Sequence, residues 1–218
     1  MRYILAAIIC IAVFMIMGFV LSPKLGYQNE DAIKLDEAIT SLFFNTHSGH
    51  VDNLMILLSM YGREIVWSAV VVYFAIFAGW NGKKIALIIV ISFLIIMPLN
   101  TILKDFFERL RPDIERPEIN VPVKTDFAYP SGHASMVSSG ALILMILYRK
   151  EKELIFSSLL TVEAALVCLS RIYVGDHYFF DVMGGALLGS GVSLLSIYFS
   201  KYLDPLIKGV RKYLQKSP

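Results

Sequence analysis

The sequence predicts an all-α integral membrane protein, a bundle of six transmembrane helices with a short extracytoplasmic interfacial helix. Of its 218 residues, 56% are hydrophobic and only 17% are charged, whereas soluble domains average about 45–50% apolar and about 25% charged residues. Six stretches nearly free of Asp, Glu, Lys and Arg are long enough to cross a bilayer. The charged residues are concentrated between them. This pattern argues against a disordered chain, a nucleic-acid-binding arm and a small disulfide-bonded scaffold.

The six apolar stretches are expected to be α-helical, because a membrane interior offers the backbone no water to bind. They cover residues 3–23, 65–82, 85–103, 127–148, 154–170 and 182–200. Pro98 is expected to kink the third helix. No small-x-small cleavage site follows the first stretch, so we interpret it as a retained anchor and not as a signal peptide.

The segment between the first two spans contains a further predicted helix. The apolar residues Leu35, Ala38, Ile39, Leu42 and Phe43 recur at helical spacing, and Lys34, Asp36 and Glu37 fall on the other side. This pattern predicts an amphipathic helix that lies on the outer membrane surface. Residues 51–61 form a second apolar piece, which we expect to be a short helix entering the second span.

The loops between the spans form two sets that alternate along the chain. One set comprises the N-terminus, the Lys83-Lys84 turn, residues 149–153 and the C-terminal tail; the other comprises residues 24–64, 104–126 and 171–181. The first set holds more Lys and Arg once Lys104, Arg111 and Arg171, which have other predicted roles, are set aside. The positive-inside rule then predicts a multi-pass cell-membrane protein with cytoplasmic termini and extracytoplasmic acidic loops.

Two groups of polar residues border the third and fourth spans. Lys104 and Arg111 lie two helical turns apart, about 10 Å along the axis, and Pro112 ends that helix. The run Tyr129-Pro130-Ser131-Gly132-His133 opens the fourth span. Free amides and the helix dipole favour an anion at such a helix start, and Gly132 lets the backbone approach a ligand closely.

A third group lies between the fifth and sixth spans. Ser170-Arg171 ends the fifth span, and His177 and Asp181 are four residues apart, so they are neighbours on a helical turn. The predicted topology brings the three groups to one membrane face. Each group alone has an ordinary explanation, such as a snorkelling anchor or a plain helix start. Together they supply cations for phosphate oxygens, a histidine to attack phosphorus and another to protonate the leaving group, and an acid to orient a histidine.

These residues resemble the signature of the type 2 phosphatidic acid phosphatase superfamily. The family pattern is K-x6-R-P, then P-S-G-H, then S-R-x5-H-x3-D. In this sequence it reads Lys104 to Arg111-Pro112, Pro130-Ser131-Gly132-His133, and Ser170-Arg171 to His177 and Asp181. The resemblance implies a single membrane-embedded phosphatase domain over residues 1–218, with its catalytic motifs in residues 104–181.

The resemblance also implies a role for each matching residue. His177 is expected to be the nucleophile that forms a phosphohistidine, Asp181 to orient it, and His133 to protonate the leaving group and then activate water. The groups expected to hold the phosphate are Lys104, Arg111, Ser131, the backbone amide of Gly132, and Arg171. The family requires no metal or cofactor, and the predicted site lacks the carboxylate cluster that Mg²⁺ favours.

The expected function is a membrane lipid phosphatase, since a site at the bilayer edge admits a phosphorylated head group while the tail stays in the membrane. A polyprenyl diphosphate is the favoured substrate. Phosphatidylglycerophosphate or phosphatidic acid hydrolysis, and phosphoryl transfer to another lipid, remain alternatives. A non-enzymatic transporter or scaffold is disfavoured because few polar residues lie near the midplane. The interfacial helix and the third span are a hypothetical border of a lateral lipid entrance, and the sequence leaves the oligomeric state open.

Several polar residues outside the motifs have weaker interpretations. Glu163, in the fifth span, either supports the site or is a protonated acid bonded between helices, with Asn100 or Thr101 as candidate partners. Arg109 and Arg116 either assist a second phosphate or border their loop, and Asp176 is expected to be solvated. His47 and His50 are a poor metal pair because no third ligand is evident. The cysteines, Cys10 and Cys168, are expected to be apolar filler.

Overall fold

The computed structural model describes residues 1–44, 49–113 and 125–214, and its regular elements there are helices. In chain order they are α1 (Arg2–Leu21), α2 (Glu30–Phe44), α3 (Gly49–Leu57), a π-helical segment (Leu58–Val66), α4 (Trp67–Ile76), α5 (Gly79–Phe107), α6 (Gly132–Leu147), α7 (Glu151–Tyr173), α8 (Phe179–Phe199), a 3-10 turn (Ser200–Leu203) and α9 (Asp204–Leu214).

Five continuous helices in the described chain are long and apolar enough to span a membrane. They are Arg2–Leu21, Val51–Ile76, Gly79–Phe107, Glu151–Tyr173 and Phe179–Leu203. The shorter apolar helix α6, with 16 residues, is the sixth. The prediction of an all-α bundle with six apolar helices is therefore confirmed. Residues 51–61 lead without a break into the second span, as predicted.

Two predicted span boundaries are wrong. The second span ends at Ile76 and not near Gly82, because Gly79 adopts a positive φ of 63° that reverses the chain. Lys83 and Lys84 therefore lie in the first turns of α5 and not in a loop. The fourth span becomes helical only at Gly132, since Ser131 is extended and Pro130 precedes it. Helix α5 runs through Pro98 without interruption. It ends at Phe107, because Glu108 adopts a left-handed conformation with φ 52°, so the prediction that Pro112 ends this helix was wrong.

The predicted helix after the first span is present as α2, but Asp36, which was predicted on its polar side, is buried. Leu35 and Leu42 are 54% and 67% exposed, whereas Asp36 and Thr40 are fully buried. The physical reason is polar pairing: the Thr40 hydroxyl accepts a hydrogen bond from the backbone amide of Phe179, and Asp36 pairs with Arg109. The assignment of Asp36 to a solvated face was wrong.

Helix α6 occupies the centre of the bundle and packs against α5, α7 and α8, and α1 covers the other side of α8. The closest approach is between α6 and α8, where glycines face backbone carbonyls. A Cβ atom at Gly185 would collide with the carbonyl oxygen of Ser131, and one at Gly189 with that of Ser135. This close packing holds the start of α6 against the first turns of α8.

Candidate active site

Residues from four separate sequence segments line one polar cavity of about 250 Å³. The sequence-predicted site residues in its wall are Lys104, Arg111, Gly132, His133 and His177. Asp181 lies behind His177, and Ser131 lies directly before Gly132 at the N-cap of α6. The structure thus brings these groups together at the C-terminal end of α5 and the starts of α6 and α8.

His177 is buried between Asp181 and the cavity. Its Nδ1 atom is 3.7 Å from Oδ2 of Asp181, and its Nε2 atom is 3.2 Å from Nη1 of Arg111. The same Asp181 oxygen accepts a hydrogen bond of 2.9 Å from the backbone amide of Tyr178, which closes the first turn of α8. Asp181 therefore faces one ring nitrogen, and the other ring nitrogen is on the side of Arg111 and the cavity.

His133 approaches the same cavity from the first turn of α6. Its Nε2 atom is 3.7 Å from Oε1 of Glu64, which belongs to the π-helical segment. The backbone amide of Ser131 donates to the carbonyl oxygen of Asp181 at 3.0 Å, so the α6 start is tied to α8. The Ser131 hydroxyl is buried and has no hydrogen-bond partner among the described residues. A polar group of this kind is available to a ligand.

Two cations in the cavity wall share one carboxylate, that of Asp126. Lys104 forms an ion pair with it, and Arg111 donates to its Oδ1 atom at 2.6 Å. Arg111 also donates to the backbone carbonyl of Asp176 at 2.6 Å. Burial raises the pKa of Asp126, but the two cations outweigh this effect and lower its pKa to about 2. The carboxylate is therefore ionised at neutral pH.

Arg171 is a predicted phosphate ligand that is not among the residues lining the cavity. Its guanidinium donates to the carbonyl oxygen and hydroxyl of Ser59 and pairs with Asp176. These contacts fasten the loop before His177 to the π-helical segment. Its role as a phosphate ligand stays a prediction.

Sequence reasoning misjudged two charged residues beside the site. Arg109 neither borders its loop nor faces the cavity: it is buried and donates to Asp36 at 2.7 Å and to Asp181 at 2.6 Å. Asp176 is buried and paired with Arg171, so its predicted solvation was wrong. Asp126 and Glu64 were not singled out at all, because no motif marks them and their partners are distant in sequence.

Glu163 lies between helices, but its partner differs from those predicted. The indole nitrogen of Trp67 donates to it at 3.1 Å. Asn100 instead donates to the Ser135 hydroxyl, and Thr101 donates to the Met97 carbonyl.

The remaining candidates lie largely outside the described structure. His47 and Arg116 fall outside the described residues, and the side chain of His50 is not described. Cys10 and Cys168 are free and partly buried. No three His, Cys, Asp or Glu side chains cluster as metal ligands in the part of the chain that the structure describes.

An apolar helix bundle that directs histidines and cations into one polar cavity defines a multi-pass membrane protein with an anion-binding site. Residues 82–205 match the PAP2 superfamily. The chain belongs to this superfamily and is a membrane phosphatase of lipid phosphates, which confirms the family predicted from the three motifs.

Relatives in sequence and structure agree with this assignment. The chain is 36% identical to the undecaprenyl-diphosphatase of Sulfolobus acidocaldarius, over 87% of this chain and 88% of that protein. It is 35% identical to phosphatidylglycerophosphatase B of Bacillus subtilis, over 52% of this chain and 55% of that protein. The crystal structure of a PAP2-type phosphatidylglycerolphosphate phosphatase from B. subtilis superposes with a TM-score of 0.72 at 22% identity, covering 90% of this chain and 96% of that one.

Proposed function

We propose that this protein removes phosphate from a polyprenyl diphosphate through a phosphohistidine formed on His177. The observation that carries the proposal is the cavity itself. His177 and His133, which come from different elements, line it together with Lys104 and Arg111. The similarity to the Sulfolobus undecaprenyl-diphosphatase over nearly the whole chain favours a diphosphate on a long isoprenoid tail.

The chemistry needs one histidine as nucleophile and one as acid and base. Nε2 of His177 attacks the terminal phosphorus, the phosphorus–oxygen bond to the leaving group breaks, and His133 gives that oxygen its proton. Water then attacks the phosphohistidine, His133 takes a proton from the water, and phosphate leaves as the nitrogen–phosphorus bond breaks. Asp181 stabilises the positive charge on the ring of His177.

The phosphate is held by groups that neutralise its charge without a metal ion. Lys104 and Arg111 face the cavity, and the Ser131 hydroxyl and the Gly132 amide lie at the N-terminus of α6, where a helix favours an anion. Arg171 becomes a further phosphate ligand if it exchanges its contact with Ser59 or Asp176 for one with the phosphate. Such preorganised donors stabilise charge that develops in the transition state.

An apolar groove next to the cavity is suited to the lipid tail. It has a volume of about 500 Å³ and shares Arg63, Met97 and Met136 with the polar cavity. Its remaining wall is formed by side chains of α4 and α5 and by Glu64, and no described residue of α2 contributes to it. This groove favours a lipid entrance between α4 and α5 over one between α2 and α5, the border that the sequence suggested.

The orientation of the protein in the membrane is part of the proposal. The amphipathic helix α9 carries Lys208, Arg211 and Lys212, which suits the cytoplasmic surface with its anionic lipids. The active site, at the other ends of the helices, then opens to the extracytoplasmic face, and both termini are cytoplasmic.

The test is phosphate release by the purified protein in detergent from polyprenyl diphosphate, phosphatidylglycerophosphate and phosphatidic acid. We expect the diphosphate to give the highest kcat/KM, release without any acceptor lipid, and full activity in EDTA. His177→Ala and His133→Ala should each abolish turnover, with ³²P trapped on His177 of the wild-type protein. Full activity of His177→Ala would refute the mechanism, and a strict need for an acceptor lipid would indicate a phosphotransferase.

A further inference from the structure

A chain of buried charged groups runs from His177 away from the cavity. Asp181 faces the His177 ring at 3.7 Å. Its other carboxylate oxygen accepts a hydrogen bond of 2.6 Å from Arg109, and Arg109 donates at 2.7 Å to Asp36 on α2. The side chains of Asp181 and Asp36 are fully buried, and that of Arg109 is 7% exposed.

The charges of Asp181, Arg109 and Asp36 do not balance one another. Two buried carboxylates share a single guanidinium, so the three side chains carry one net negative charge when both carboxylates are ionised. Burying charge is costly unless a partner balances it. The partner arises during the proposed reaction, because the ring of His177 becomes positive when it bonds to phosphorus. The resting charge of the chain is thus matched to the charged state of the nucleophile.

Every member of the chain is also fixed in place by a second contact. The second oxygen of Asp36 accepts a hydrogen bond of 2.8 Å from the backbone amide of Phe180, in the first turn of α8. The guanidinium of Arg109 stacks over the ring of Tyr178 at 4.4 Å. The backbone of Arg109 is held by Ala128, whose amide donates to its carbonyl oxygen at 2.7 Å. Helix α2 is thereby fastened to the segment that carries the nucleophile.

We propose that Arg109 and Asp36 are positioning residues that set the charge and orientation of Asp181 for the His177 nucleophile. Arg109 fixes one oxygen of Asp181, so that the other faces the ring. Asp36 draws part of the positive charge of Arg109 to itself and so leaves Asp181 able to stabilise a positive His177. Neither side chain lines the cavity, so both act through Asp181. This inference rests on the proposed function of His177 as nucleophile.

Other charged and titratable groups surround the His177–Asp181 pair, and they are left unchanged in the test. They are Lys104 on α5, Arg111 after α5, Tyr129 before α6, His133 on α6, Arg171 on α7, Asp176 after α7, and Tyr178 before α8. Substitutions confined to Asp36 and Arg109 therefore report on the chain alone.

The decisive variant is Asp36→Asn, which removes the negative charge and nearly keeps the shape. A less negative surrounding disfavours the protonated ring, so the acid limb of the kcat/KM profile should move to lower pH by about one unit, the order expected for one charge at an effective dielectric constant of about 20. We expect kcat to fall about tenfold and KM to change less than twofold. Asp31→Asn, the same change on an exposed residue of α2, is the matched control.

Substitution of Arg109 tests whether the acid limb of the kcat/KM profile shifts in the opposite direction. Arg109→Gln removes the positive charge and should move the acid limb to higher pH, whereas Arg109→Lys keeps the charge and should leave the limb in place while lowering kcat. A purely structural role would lower activity in all three variants without shifting the profiles in opposite directions. If one of Asp36→Asn and Arg109→Gln does not elute from size-exclusion chromatography in detergent as the wild type does, the direction of the shift in the other variant still tests the proposal.

The titration of the His177 ring, followed by NMR of ¹⁵N-histidine-labelled protein, separates this inference from the proposed function. The His177 midpoint should fall in Asp36→Asn relative to Asp31→Asn, whether or not the protein turns over a given lipid. Lipid-phosphatase activity without any shift of the midpoint or the profile would overturn the positioning role alone. Absence of lipid-phosphatase activity in the wild-type protein would instead overturn the proposed function.

Discussion

Asp126 pairs with the two cations to which the proposed mechanism assigns the substrate phosphate. Its carboxylate contacts both Lys104 and Arg111, the two cations of the first motif. A carboxylate and a phosphate present similar oxygen acceptors to such cations. Since the pKa of Asp126 is lowered to about 2, protonation does not release it at physiological pH. In the proposed mechanism a phosphate group therefore has to displace it by competition.

Removal of this competitor should strengthen substrate binding. In Asp126→Asn we expect the KM for lipid phosphate and the inhibition constant of inorganic phosphate to fall about two- to fivefold, since a partly exposed ion pair contributes about 0.2–1 kcal/mol. Steady-state kinetics with phosphate as competitive inhibitor measure both constants. A rise in KM would show instead that Asp126 holds the cations in their binding positions.

The same ion pair should make stability depend on pH in a defined direction. The pKa of Asp126 lies below its ordinary value of 3.8 in the folded protein, so its contribution is present above pH 3.8 and is lost as the pH falls towards 2. The Tm of the wild type should exceed that of Asp126→Asn by a constant amount above about pH 5, and the difference should close between pH 4 and pH 2. A difference independent of pH would contradict this origin.

At the residue scale, the motifs predicted the cavity wall but not the groups behind it. Lys104, Arg111, His133 and His177 carry chemistry that their spacing reveals. The contact between Asp36 and Arg109 joins positions 73 residues apart, and nothing local in the sequence marks either one as a partner. Long-range pairing of buried charge depends on the tertiary fold, and a single sequence does not encode it in a readable pattern.

At the scale of elements, the packing of α6 on α8 sets the geometry of the site. Gly185 faces the carbonyl oxygen of Ser131, one residue before the Gly132 amide. The helix that carries Asp181 and the helix start that carries His133 are thus in direct backbone contact. A change of less than an ångström between these helices alters the relation between the two histidines.

Gly185→Ala should therefore damage activity more than stability. The added methyl group forces the two helices apart, and such overpacking costs about 1–3 kcal/mol. We expect a lower Tm in detergent and a loss of kcat of at least tenfold. Gly209→Ala, in α9 where the space around the glycine is open, is the control, and it should preserve both. Unchanged kcat in Gly185→Ala would show that the site tolerates this displacement.

The sequence predicted the number of membrane helices well and their ends less well. Runs without charge identify apolar length, but chain reversal depends on backbone conformation, as at Gly79 and before Gly132. The buried face of α2 was misjudged for a related reason. A prediction from an amphipathic pattern buries the apolar residues, whereas Asp36 is buried because it pairs with Arg109.

At the scale of the whole molecule, the polar cavity and the apolar groove form one path for an amphiphilic ligand. Arg63, Met97 and Met136 belong to both, so in the proposed reaction a head group at His177 has its tail between α4 and α5. Trp67 lies in the wall of the groove and donates to Glu163 on α7. This hydrogen bond between α4 and α7 therefore stabilises one wall of the groove.

Filling the groove should separate lipid hydrolysis from simple phosphate chemistry. Val71 lines the groove and lies outside the polar cavity, so Val71→Trp should raise the KM for a long-chain lipid phosphate at least tenfold, because the tail loses apolar contact area. Hydrolysis of p-nitrophenyl phosphate, which has no tail, should change less than twofold. Val162→Trp, the same substitution at an exposed position of α7, should affect neither substrate. If both substrates slow equally in Val71→Trp, the change disturbs the cavity itself and the tail lies elsewhere; if only the lipid slows, the groove between α4 and α5 is the tail site.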